Sequence, residues 1–190
     1  MVKVFDKYDD VAPSLGGGFN LNGGAATLRE MGLWNELLAV CNPMERVHSR
    51  TISGVTLFDI SIPKILPKDL VFDGTPCAFT VMRSDLTRLL ADHLPQGVVQ
   101  VGSEVTGVKE TAEGISAVYA DGSLSEEFDL LVGCDGIRSV VRQAIQKTSS
   151  PPRYSGIRIQ LGTAPLGSLS KSPSEVQQWF GNGAYALCYS

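Results

Sequence analysis

Asp135 closes the apolar run Leu130-Leu131-Val132 and precedes a basic, helix-like segment, "IRSVVRQAIQK" (137–147). An acid there has two uses. It can reach a ligand beyond the carboxyl end of a strand, where open α/β sheets bind their ligands, or the helix that follows is simply capped by this Asp or by Ser139. Asp6 likewise ends "VKVFD" (2–6), a β-branched and aromatic run that reads as a strand. Its two carboxylate oxygens suit the vicinal hydroxyls of a ribose; the plainer reading is a solvated acid beside Asp9 and Asp10. Gly16-Gly17-Gly18 gives a backbone that can approach a flat or charged ligand, or simply a flexible turn. It fits neither G-x-x-x-x-G-K-[ST] nor G-x-G-x-x-G, because position 21 is Leu21. Arg83 immediately precedes Ser84, the expected cap of a helix, and can meet ligand oxygens there or remain a surface charge. Arg138 and Arg142, four apart, share one helical face.

Several chemistries are excluded. The chain has no G-x-S-x-G elbow, no H-E-x-x-H and no paired-cysteine metal spacing. His48 and His93 are its only histidines, so a histidine-built metal site is not expected. If this is an enzyme, a cofactor carries the chemistry. A net charge of -4 speaks against nucleic-acid binding through a broad basic surface. The 190 residues are 43% hydrophobic and 19% charged, an ordinary globular balance, and no apolar run approaches the ~20 residues of a membrane span. Cys41, Cys77, Cys134 and Cys188 lack C-x-x-C spacing and are expected to be reduced, mostly buried thiols of a cytoplasmic or other reducing intracellular compartment.

The elements that must position these residues can be read from periodicity. Residues 25–40 predict a helix bent or broken at Gly32. Residues 47–82, rich in β-prone pieces and prolines, predict short strands of a second sheet. "SDLTRLLADHLP" (84–95) predicts a helix capped by Ser84, stopped by Pro95 and striped by Leu86, Leu89, Leu90 and Leu94. Three strands follow in "VVQVGSEVTGVKE", "GISAVYA" and "EEFDLLVG", the last buried on both faces at Leu130-Leu131-Val132. The helix over 137–147 packs through Val140, Val141, Ala144 and Ile145. "SSPPR" (149–153) marks a boundary, and "RYSGIRIQLG" and "VQQWFGNGAYALCYS" predict strands with a hairpin at "GNG". Phe58, Phe72, Phe79 and Trp179 suit an aromatic pocket or an ordinary core equally well.

In this order, the pieces resemble the FAD-dependent aromatic hydroxylases, the single-component flavoprotein monooxygenases. The resemblance covers essentially all 190 residues and rests on R-x-x-L-x-x-x-L at Arg83-Leu86-Leu90 and D-G-x-x-S-x-x-R at Asp135-Gly136-Ser139-Arg142. It implies an α/β fold: a partial FAD-binding, Rossmann-like domain of the glutathione-reductase type with a β-meander (1–150), then the start of a β-rich substrate domain (151–190) to which 47–82 lends strands. Asp6 would hold the adenosine ribose, with Lys7 near the nucleotide. Gly18 would lie against the flavin, Arg83 at the ribityl-pyrophosphate, and Val105 at the adenine through its backbone. Asp135 would belong to a box linked to FAD and nicotinamide binding. No catalytic residue is assigned.

The implied activity uses NADH or NADPH and oxygen, through a flavin hydroperoxide, to hydroxylate a small aromatic or apolar substrate, or to epoxidise an alkene as some relatives do. The family's opening strand with its G-x-G-x-x-G turn and its later G-D box fall outside Met1–Ser190, so the chain reads as a middle piece. Two other readings stand beside the active enzyme: a non-catalytic remnant, and a nucleotide-binding or interaction module.

Overall fold

The computed structural model describes residues 1–13, 17–146, 151–164 and 174–189. Gly16 and the breakers Ser149 and Ser150 lie outside these. In chain order the described residues form β1 (Val4–Phe5), β2 (Gly18–Leu21), α1 (Gly23–Glu30), α2 (Trp34–Val40), β3 (Cys41–Pro43), β4 (Arg46–Thr51), β5 (Thr56–Ser61), α3 (Ile62–Ile65), β6 (Val71–Phe72), β7 (Thr75–Pro76), β8 (Phe79–Met82), α4 (Arg83–Asp92), β9 (Val99–Gln100), β10 (Val105–Glu110), β11 (Ile115–Tyr119), α5 (Val140–Ile145), β12 (Glu175–Phe180) and β13 (Tyr185–Tyr189). This mixed α/β chain divides into two compact units, Met1–Pro13 with Ala91–Gln160 and Ser14–Leu90 with Leu161–Ser190.

In the first unit β1 runs parallel to β9, and β10 pairs antiparallel with β11. Phe5 packs edge-on against Tyr119 and Phe128, with ring centroids 5.6 and 6.2 Å away. The expected third strand of the meander is reduced to bridges at Leu124 and Phe128. Beyond Phe128 the expectation fails. Leu130-Leu131-Val132 forms no strand, and Leu130 and Val132 are 75% and 71% exposed. A continuously apolar strand is stable only between two covering layers and beside partners for its backbone groups. Among the described residues, no strand pairs with this run. "RYSGIRIQLG" departs from expectation in the same way: its described backbone is irregular, and Ile157, Ile159 and Leu161 are exposed.

In the second unit α1 and α2 are separated at Gly32, whose φ of +81° is the left-handed conformation that ends the first helix as the sequence predicts. Leu28, Leu33, Leu37, Phe79, Val81 and Leu89 meet in one core. Leu90 and Leu94 of the predicted stripe stay exposed. Helix α4 starts at Arg83, directly after β8, so Ser84 lies inside the first turn and is not its cap.

Of the strands expected over 47–82, β4 and β5 join the C-terminal hairpin in the order β13-β12-β4-β5, whereas β6 pairs with β7 and β8 lies between β2 and β3. The turn at Gly181–Ala184, closed by the Gly181 N–H donating to the Ala184 carbonyl, is the predicted "GNG" hairpin. Side chains alternate between the two faces of this sheet. One face packs Val47, Ile60, Val176 and Tyr189 against Met44, Ile62 and Ala78. The other is polar: Arg46 pairs with Asp59 and Glu175, and Arg50 donates to Gln177 and lies over the Trp179 ring.

Candidate functional site

Asp6 follows β1 at the carboxyl end of a parallel pair, and its backbone is fixed on both sides. Its N–H donates to the Gln100 carbonyl at 3.0 Å, and its own carbonyl accepts from the Ser103 N–H at 2.7 Å. Its Oδ1 accepts from the Tyr8 N–H at 3.0 Å, which aims the carboxylate. Asp6 is half-buried whereas Asp9 and Asp10 are exposed, so structure separates one acid from the cluster where sequence could not. Lys7 is exposed, with its Nζ 5.2 Å from the centre of the Tyr8 ring. Val105 opens β10 opposite Tyr119, two residues beyond Ser103.

Asp135 is a helix cap in this structure. Its Oδ2 accepts from the N–H groups of Val140 at 2.6 Å and Val141 at 3.3 Å. Ser139 accepts through Oγ from the Arg142 N–H at 2.9 Å, so both capping options foreseen from sequence are used together. Burial pushes the Asp135 carboxyl up, but hydrogen bonds from Ser139 and from the backbone of Val141, Asp135 and Val140 outweigh it and hold the group below the usual carboxylate range. Arg142 turns back on the carbonyls of Gly136 and Ile137. Helix α5 buries only Val141; Ala144 and Ile145, expected to pack, are exposed. An open groove of about 350 Å³ runs between Leu131–Gly133 and the Val141–Gln146 side of the helix.

Gly18 and Arg83 come together in the second unit. Gly18 lies opposite Met82 in the β2–β8 ladder, and a Cβ on it would stand 3.1 Å from the Val81 carbonyl oxygen. The Arg83 N–H donates to the Gly17 carbonyl at 3.4 Å, and the Arg83 carbonyl accepts from Thr87 Oγ1 at 2.8 Å. Strand packing therefore disfavours a side chain at this position, whatever else the glycine does.

The other sequence candidates scatter. Phe79 is fully buried, Phe72 stacks edge-on with Trp34, Trp179 underlies Arg50, and Phe58 is exposed. Cys41 and Cys77 are buried as expected, but Cys134 and Cys188 are exposed. The sequence reading missed the pairing of Ser49 with Gln178 across β4 and β12. Its only signal was a polar residue at an inward position of an alternating strand.

Residues 4–182 match the FAD binding domain family, and the chain belongs to it. The 3-amino-4-hydroxybenzoate 2-monooxygenase of Streptomyces platensis is 34% identical over 126 residues, which is 61% of this chain and 31% of that relative. The FAD-dependent urate hydroxylase of Klebsiella pneumoniae is 28% identical over 134 residues, 70% of this chain and 33% of the relative. The chain thus spans about a third of the length of these curated relatives. The crystal structure of Klebsiella pneumoniae HpxO complexed with FAD and uric acid superposes with a TM-score of 0.73 at 20% identity, covering 97% of this chain and 46% of that one. The fold is that of part of the FAD-dependent hydroxylases, as the two sequence boxes implied. Among the described residues no helix is long and apolar enough to cross a membrane.

Proposed function

We propose that this chain supplies the adenosine-binding part of an FAD-dependent monooxygenase and the beginning of its substrate sheet. The whole enzyme would use NADH or NADPH and oxygen to hydroxylate a small aromatic or related apolar molecule. Residues 1–150 would form the FAD-binding part, and 151–190, with strands from 47–82, the substrate part. The observation that carries this reading is Asp6, a carboxylate aimed by the Tyr8 N–H at the carboxyl end of a parallel strand, inside a family match that spans 4–182.

The residues present fit the nucleotide end of FAD. Asp6 offers two acceptor oxygens for ribose hydroxyls, and the backbone at Val105 borders the same strand ends. Lys7 would add charge near the nucleotide. Gly18 and Arg83, adjacent through the β2–β8 ladder, would meet the flavin side and the ribityl-pyrophosphate, and Asp135 would contribute its box. When bound, FAD supplies reduction by the nicotinamide and activation of oxygen.

A nucleotide-binding module without turnover is the second reading. The test adds FAD to the purified chain and records the protein-bound flavin spectrum and NADH or NADPH consumption. Bound flavin with oxidation supports the enzyme, and bound flavin without oxidation supports the module. No binding at high micromolar FAD sinks both.

A further inference from the structure

Asn22 joins β2 to α1, and Gly23 is the first residue of that helix. Of the chain's asparagines, only Asn22 and Asn182 precede a glycine; Asn20, Asn35 and Asn42 precede Leu21, Glu36 and Pro43. A following glycine leaves its amide nitrogen open to the asparagine's own carboxamide, and attack closes a five-membered ring. Whether the two groups meet depends on ψ of the asparagine. Asn22 has a φ of -92° and a ψ of -100°. Tetrahedral substituents stand ~120° apart, so this ψ brings Cβ to within about 20° of eclipsing the Gly23 nitrogen along the Cα–C bond. That is close to the flat arrangement the ring needs. Helical and extended ψ values hold Cβ roughly 80° or more away from it.

Nothing competes for the reacting groups. The Asn22 side chain does not cap α1, and it makes no hydrogen bond among the described residues. Asn22, Gly23 and Gly24 are exposed, and a Cβ at Gly23 would meet nothing within 4 Å. The Gly23 N–H belongs to the first turn, where helical amides lack an intrahelical acceptor, so consuming it breaks no helix bond. Proline is accepted at that position for the same reason. The positive end of the α1 dipole favours deprotonation of the amide and the oxyanion that forms at the carboxamide carbon. No acid in the first turn opposes it.

We propose that Asn22 is a self-modifying site, at which the Gly23 amide nitrogen displaces ammonia from the Asn22 side chain. Hydroxide takes the Gly23 amide proton, and the nitrogen's electron pair attacks Asn22 Cγ. A Cγ–N bond forms, the Cγ–Nδ2 bond breaks, and Nδ2 leaves with a proton from water as ammonia. The product is a cyclic imide. Water then opens one of its two carbonyls, leaving an ordinary aspartyl link or a β-aspartyl link, and nothing is oxidised or reduced. Either product puts a carboxylate at the N-terminus of α1, which has no side-chain cap. The β-link also lengthens the main chain by one atom between Leu21 and Gly24. Packing is tight there: a Cβ on Gly24 would stand 2.7 Å from Leu21 Cδ1. Asn182 is the internal control. In its turn Gly183 takes a φ of +70° and Asn182 does not turn positive. Positive φ at the second central residue alone is the type II pattern, with ψ of about +120° at the first, which holds the Asn182 Cβ away from the Gly183 nitrogen.

The test holds the purified chain in mildly alkaline buffer and follows it by peptide mass mapping, with the aspartyl and β-aspartyl products separated by chromatography. In the folded chain Asn22 is expected to convert at least about tenfold faster than Asn182. In concentrated urea the two rates should converge, because Asn22 slows when its backbone is released. Conversion should speed up with pH and release ammonia in step with the new carboxylates. Gly23→Ala, whose methyl meets nothing, should have a urea midpoint no lower than the parent's and should slow conversion at position 22 alone. Equal rates at the two sites in the folded chain, an Asn22 rate that rises in urea, undiminished conversion in Gly23→Ala, or no conversion at all would overturn the proposal.

Discussion

Gly133 lies so close to Val141 that a Cβ built on the glycine would stand 2.5 Å from the valine Cβ and 3.0 Å from its Cγ1. This contact seats the start of α5 against the segment that carries Asp135. It leaves the carboxylate beneath the first N–H groups of the helix, where it accepts from Val140 and Val141. Gly133, which the sequence places at the end of the strand-like segment "EEFDLLVG", is thus a packing requirement.

Gly133→Ala should therefore destabilise the chain. The two closest atoms are both Cβ atoms fixed to the backbone, so neither can swing away, and relief requires the helix to move. Overpacking of this kind costs about 1–3 kcal/mol. A lower urea midpoint with an unchanged slope would report it. Adding Val141→Ala should not rescue the loss, because the Cβ that the new methyl meets at 2.5 Å is retained in alanine. Gly17→Ala, where a Cβ meets nothing within 4 Å, should stay within about 0.5 kcal/mol of the parent. Equal effects at Gly17 and Gly133 would contradict the packing account.

The Asp135 cap predicts an acid-dependent stability difference. Its folded carboxyl lies below the ordinary value of 3.8, so it stabilises the fold above that value and loses the contribution as pH falls through it. Asp135→Asn should be less stable than the parent near pH 7, and the gap should close below about pH 4. Asp59 and Asp121 are also held low, by Arg46 and by Ser123 respectively. Only the difference between the two urea-midpoint curves isolates Asp135. Parallel curves from pH 7 to pH 2 would show that the carboxylate does not cap α5.

How far the sequence could be read depended on where each element finds its partner. The Gly32 break, the "GNG" hairpin and the second sheet were legible because short-range signals decide them: a left-handed glycine, a tight turn, β-branched alternation. Leu130–Val132 was misread because its composition describes a strand with two covered faces, a property of its neighbours and not of its own residues. The cap of α4 was misread because β8 runs directly into the helix, leaving no linking residue for Ser84 to close. At the candidate site, residue type placed Asp6 and Asp135 at element ends. It could not reveal that Tyr8 aims one while α5 occupies the other.

Asp6 should matter to FAD where Asp9 and Asp10 should not. Asp6→Ala removes the acceptor proposed for the ribose and should weaken FAD binding at least tenfold, the equivalent of a lost charge-assisted hydrogen bond of roughly 1.5–3 kcal/mol. Asp9→Ala and Asp10→Ala, at exposed positions, should leave it within about twofold. Flavin fluorescence quenching measures all three. Equal loss at Asp9 or Asp10 would return Asp6 to the status of one acid among several.

The four thiols should divide by burial. Burial drives the Cys41 thiol up to about 11, its own backbone hydrogen bond opposes this, and the nearby Cys77 adds to it; burial likewise raises Cys77. The thiolate is the reactive form, so at pH 8 Cys41 is only about one part in a thousand reactive even before access is considered. Cys134 and Cys188 are exposed. Brief treatment with iodoacetamide, followed by peptide mass mapping, should label Cys134 and Cys188 first. Cys41 and Cys77 should follow only at the rate at which the second unit opens, and all four should react together in concentrated urea. Early label on Cys77 would show that the core around Leu37 and Phe79 is not closed; early label on Cys41 with Cys77 spared would place a local opening at β3 alone.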